Sequence, residues 1–151
     1  MVWMRNSIAE IRELRATNIG AEVKCGRPDE YHILEAIEAS GTTTNLNGRQ
    51  LGFLTKYIVD MDLVCGEIAR VLKPNGKVVY VIGDSMIKNT FIRNSKVIKK
   101  LSEHHGLQMD SLEERTLSEN SRYLPPPSNQ SAGKQLQGRM RKEVILVMKK
   151  S

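Results

Sequence analysis

The run Val78-Val79-Tyr80-Val81-Ile82 constrains this chain more than any other stretch. Four of its five residues are β-branched, a composition that suits a pleated strand better than a helix. An unbroken apolar run, without alternation, predicts a strand buried on both faces, in the middle of a parallel sheet covered by helices. The residues before it fit that reading. Tyr57, Met61, Val64, Ile68, Val71 and Leu72 recur at steps of three and four, which predicts one apolar stripe of a helix starting near Leu51 to Leu54. Pro74 cannot continue that helix, and Asn75-Gly76 supplies a turn that reverses the chain. After the run come Gly83-Asp84-Ser85, small and polar. They stand at the carboxyl end of the strand, where an open α/β sheet exposes its ligand crevice.

The flanking segments supply further elements. Ser7-Ile8-Ala9-Glu10 reads as a capping box opening a short helix, with Ile8, Ile11 and Leu14 as its apolar edge. Pro28 opens a second helix through about Ala39, closed by Ser40-Gly41, with Ile33, Leu34 and Ile37 on its buried side. The polar stretch 41–52 reads as a loop, and 86–90 as a short connection. A helix follows whose face carries Phe91, Ser95, Ile98 and Leu101, and Gly106 closes it. His104 and His105 lie in its last turn, where cations suit the helix dipole. Residues 107–117 read as a strand, 118–138 as a long proline-bearing loop, and Glu143 to Met148 as the last strand. Such a loop argues for a functional or mobile role. Two late strands joined without a helix do not make a parallel crossover, so one of them runs antiparallel. The fold class is α/β, with about three strands and flanking helices.

Composition limits the function classes. At 151 residues the chain makes one domain, and its net charge of +6 favours a polyanionic partner. Arg122, Tyr123, Arg139 and Arg141 could meet phosphates and stack on a base, or belong to a solvated loop and a basic strand end. Cys25 and Cys65 match neither a disulfide framework nor a metal-ligand spacing, which suits a reducing cytoplasm. The adjacent His104 and His105 point apart on a helix and read as surface residues, so no metal is expected. No apolar run approaches membrane-spanning length. A cytoplasmic location is the expectation.

Three stretches carry a family resemblance. Glu67-Ile68-Ala69-Arg70-Val71-Leu72-Lys73-Pro74-Asn75-Gly76-Lys77 looks like the helix-turn approach to the fifth strand of class I S-adenosylmethionine-dependent methyltransferases. Val2-Trp3-Met4, then Ile11-Arg12-Glu13-Leu14-Arg15 and Thr17-Asn18-Ile19-Gly20, resembles the segment after the catalytic loop of bacterial DNA amino-methyltransferases. Arg122-Tyr123-Leu124-Pro125-Pro126, with Gly138-Arg139-Met140-Arg141-Lys142-Glu143-Val144-Ile145-Leu146, is similar to the tail of the same group. That group methylates the N6 amine of adenine or the N4 amine of cytosine.

The resemblance implies a partial methyltransferase domain over 1–151. Residues 1–50 would form a helical and loop segment following the catalytic loop, and 51–151 the distal core. It implies S-adenosylmethionine as cofactor and DNA as partner, with Gly83, Asp84 and Ser85 on the cofactor or substrate side. Asp84 as a simple helix cap stays open beside that role. The family's glycine-rich cofactor loop has no match in this sequence. Nor does its catalytic Asp, Asn or Ser before Pro-Pro-aromatic, because the prolines at Pro125 to Pro127 follow Leu124 and precede Ser128. The catalytic residues are therefore expected outside this sequence, with little activity from the chain alone. The strand at Val78–Ile82 would then offer an unpaired edge, inviting a second chain or self-association. An RNA methyltransferase fragment, and a non-catalytic nucleic-acid-binding or regulatory remnant, are the alternatives.

Overall fold

The computed structural model describes residues 7–19, 21, 30–41, 43–87, 90–116 and 142–151. Helix α1 spans Ile8–Ala16 and begins on the expected capping box, Ser7 and Glu10 each taking the other's backbone N–H. None of its residues is buried, so the edge of Ile8 and Leu14 faces solvent. Helix α2 (Tyr31–Ala39) ends as expected at Ser40-Gly41, with Gly41 at φ +122°. Ile33 and Ala36 are its buried residues, Ile37 packs beside them, and Leu34 is exposed, contrary to the expected pattern.

Helix α3 runs from Gly48 to Val71, starting earlier than its apolar stripe suggested. The reason is a second capping box: Asn47 accepts from the Gln50 backbone N–H while Gln50 returns the bond to Asn47 N. Its buried line passes through Leu54, Ile58, Cys65 and Ala69, with Tyr57, Met61 and Leu72 partly covered. Val71 points out and is 64% exposed, so the stripe is rotated from the expected one. Asn75 takes φ +61° in the turn, and a Cβ on Gly76 would lie 2.7 Å from the Lys73 carbonyl, so this position needs glycine.

Strand β1 (Lys77–Gly83) forms a three-stranded sheet with β4 (Leu107–Thr116) and β5 (Lys142–Lys150), in the order β1-β5-β4. Strand β5 runs antiparallel to both neighbours. The expected antiparallel pairing of the last two strands is present. The expected parallel setting of β1 is corrected, since it pairs with an antiparallel strand, while its place at an edge of the described sheet is the one the partial-domain reading expected. Nor is β1 buried on both faces. Val78, Tyr80 and Ile82 turn towards the helices, while Val79 and Val81 are 59% and 58% exposed on the other side. None of the four described helices packs on this outer face, and apolar composition alone does not supply the missing layer.

Between β1 and the next helix the connection is a hairpin, β2 (Ser85–Ile87) with β3 (Thr90–Ile92), where a plain loop was expected. Phe91 therefore belongs to a strand and is exposed, whereas Ile92 is buried. Helix α4 (Asn94–His104) buries Ser95, Val97, Ile98, Leu101 and Ser102 and ends at Gly106, φ +81°. It is the hub of the fold, touching the sheet as well as α2 and α3. Leu107, Val144, Leu146 and Met148 meet it from the sheet. Under this layer the Ser102 hydroxyl reaches Tyr80 Oη at 3.3 Å and Cys65 Sγ at 3.7 Å. Among the described residues no helix is long and apolar enough to cross a membrane.

Candidate functional site

The tip of β1 is built by the start of α4. Asp84 Oδ1 accepts from the Ser95 backbone N–H and from the Ser95 hydroxyl, each at 3.0 Å. This satisfies an orphan donor of the first helical turn, which Arg93 at the N-cap position leaves uncapped. Asn94 Nδ2 donates to the Gly83 carbonyl at 3.0 Å and to Ser85 Oγ at 3.1 Å. Gly83, Asp84 and Ser85 are thus brought together and locked to one helix end. The carboxylate of Asp84 acts as a cap here, one of the two roles open from sequence.

Beside the tip lies a hollow of about 380 Å³ between α3 and the β2–β3 hairpin. Phe53, Leu54, Met86, Ile87 and Ile92 line it, with Tyr57, Ser85 and Asn94 as its hydrogen-bonding side chains. The Tyr57 phenol is pushed above its ordinary pKa, chiefly by burial and further by the charges of Cys65 and Asp84. It is a neutral donor at any physiological pH. Arg49 lies over the Phe53 ring, 5.2 Å from its centroid, and Arg93 over Phe91 at 5.7 Å. The Arg49 guanidinium therefore stands over one wall of a largely apolar hollow that carries a hydroxyl, a phenol and an amide, while Arg93 lies beside Gly41 at the end of α2.

Such a set can hold a flat heteroaromatic ring and orient it by neutral hydrogen bonds, with a phosphate meeting the Arg49 guanidinium. S-adenosylmethionine fits less well. Its sulfonium and ammonium call for acceptors, and no carboxylate is among the residues that line the hollow. Tyr57, Asn94, Arg49 and Phe53 were not singled out from sequence as site residues. Arg49 and Phe53, four apart just inside a capping box, carried the one available signal. Arg122, Tyr123, Arg139 and Arg141 lie outside the described residues, as do Trp3, Met4 and Cys25.

A second polar cluster joins α2, α3 and α4. The two carboxylate oxygens of Asp62 lie 2.8 Å from His105 Nε2 and 3.3 Å from His32 Nε2. His104 stacks on His32 at 3.9 Å between centroids. His104 is exposed, as its surface reading expected, whereas His105 is partly buried against Asp62 at the helix junction. A Cβ at Gly66 would come within 3.1 Å of the His105 ring, so α3 stays narrow at this crossing. No cluster able to hold a metal ion occurs among the described residues. The Cys65 thiol is fully buried and pushed up by burial, which suits packing rather than nucleophilic work.

No family model matches the sequence, and no curated protein matches it. Two solved structures of one protein from Thermus thermophilus, provisionally named a DNA modification methylase, are similar in structure. The selenomethionine form has 18% identity and a TM-score of 0.45, covering 62% of this chain and 36% of that one. The form complexed with S-adenosyl-L-methionine has 16% identity and a TM-score of 0.49, covering 67% and 40%. This chain thus spans two fifths or less of the length of that protein.

Proposed function

We propose that this chain is a distal portion of a DNA methyltransferase-type domain, contributing the last strands of the sheet and part of the nucleic-acid side of the site. The observation that carries the reading is the tip of β1. A helix, a tight turn and a strand end in Gly83-Asp84-Ser85, beside a hollow whose groups align a base rather than abstract a proton. Methylation of an exocyclic amine asks for that: a base taken out of the stack and held in line, with acceptors and donors fixed around it. The resemblance of the Glu67–Lys77 phrase to the approach to the fifth strand of that family supports it. So does the antiparallel pairing of the two late strands. On this reading the methyl donor is S-adenosylmethionine, held by residues outside this sequence, and the chain alone transfers no methyl group.

Fluorescence anisotropy with a labelled DNA duplex tests the reading, with structured RNA as the comparison. Duplex binding that weakens with salt is expected. Arg49→Ala should lower the salt slope by about 1. Preference for structured RNA would turn the assignment to an RNA methyltransferase portion, and no binding to either at low salt would overturn it. Calorimetry with S-adenosylmethionine should give no heat with the chain alone.

A further inference from the structure

Arg49 is exposed, and among the described residues its guanidinium makes no hydrogen bond and no ion pair. What holds it is the Phe53 ring, whose centroid lies 5.2 Å from the guanidinium carbon. A guanidinium lying on a ring keeps its N–H donors free for an anion, because they point outward in its own plane. Phe53 lines the hollow and Arg49 does not, so the ring stands between the charge and the cavity. Inside, Tyr57, Ser85 and Asn94 offer uncharged hydrogen-bonding groups, and the rest of the described wall is apolar.

We infer that Phe53 is a plate shared by the two parts of one nucleotide, the base stacking on its hollow side and the phosphate of that same nucleotide meeting Arg49. The division follows from solvation. A base brings a neutral π-face, which an apolar cavity with neutral polar groups accepts. A phosphate inside the same cavity would lose its water without gaining a cation, whereas outside it meets one already in place. The sugar that joins the two has only the edge of one ring to pass. Seating either part orders the plate for the other, so base and phosphate bind better joined than apart. The inference rests on the methyltransferase-type reading only for its source, a nucleotide turned out of a DNA strand; a free nucleotide offers the same chemistry.

Chemical-shift titrations of the full isotope-labelled chain with deoxyadenosine and with its monophosphate separate the two parts. The monophosphate should bind about tenfold more tightly. Arg49→Ala should close that gap and leave the nucleoside affinity unchanged. Phe53→Leu keeps an apolar wall but no ring, so it should weaken the nucleoside about fivefold or more and narrow the gap, and Phe53→Tyr should restore both. Neither residue belongs to the buried core, and melts check that each variant is folded. A monophosphate no tighter than the nucleoside overturns the inference, as does a gap that survives Arg49→Ala, a nucleoside indifferent to Phe53→Leu, or no shift with either ligand. A single-stranded DNA that binds more tightly than the monophosphate identifies a strand as the source, and equal binding identifies the free nucleotide. The expected pattern without any duplex binding sinks the methyltransferase-type reading and leaves this inference standing; duplex binding without the pattern does the reverse.

Discussion

Tyr80 sits where three elements meet, its hydroxyl 3.3 Å from Ser102 and its ring half-buried among the inward residues of β1. Burial, opposed by the Ser102 hydrogen bond and helped by the charge of Cys65, pushes its pKa up to about 12 from 10.0. The sign follows from which state holds the proton. Between those two values the folded chain keeps a neutral phenol that the unfolded chain has lost. Stability from this group is full below pH 10 and falls as pH rises towards about 12. Phenolate absorbance should therefore show a delayed component, reduced by one tyrosine in Tyr80→Phe, where Tyr57 alone of this pair still lags, and merged with the others in urea. Lys150 holds a different junction. Its Nζ donates to the carbonyls of Ala69 and Leu72 at 2.5 and 3.0 Å, placing a cation on the carboxyl end of α3. Its own backbone pairs with Gly76 and Asn75 across the turn. Lys150→Ala should cost about 1–2 kcal/mol in urea unfolding, through bonds to a charged donor that the backbone cannot replace.

At the level of elements, α4 is positioned by a residue that precedes it by the length of the whole hairpin. Asp84→Ala removes the acceptor for Ser95 and should destabilise the chain by about 1 kcal/mol, while Asp84→Asn keeps an oxygen there and loses less. If thermal melts show the two variants equal, the capping role fails. Local signals in the sequence located the elements that rest on local chemistry. Ser7 and Glu10 marked the start of α1, Gly41 and Gly106 the ends of α2 and α4, and Pro74-Asn75-Gly76 the turn before β1. The β2–β3 hairpin was not legible, since strands of three residues leave no periodicity to read and Phe91 continued a helical spacing. The start of α3 was missed because Asn47 and Gln50 sat in a polar stretch that reads as loop until the reciprocal bonds are seen.

For the molecule as a whole, the sequence identified β1 by composition but not its surroundings. Burial of a second face depends on what packs there, and Val79 and Val81 carry no mark of whether anything does. The site divides in the same way: the tip at Gly83–Ser85 followed from strand position, whereas the walls came from α3 and the hairpin, whose approach is tertiary. The order β1-β5-β4 adds a consequence of its own. The strand lying between the other two is the last of them to be synthesised, and Lys77 waits for Lys149 before the ladder closes. A nascent polypeptide lacking 142–151 holds two strands that run the same way with a gap between them, and its helices have no floor. Deleting those residues should abolish cooperative melting rather than merely lower its midpoint. On the ribosome such a chain would stay exposed to holding chaperones until residues 142–151 clear the exit tunnel, a delay that a sheet assembled in sequence order avoids.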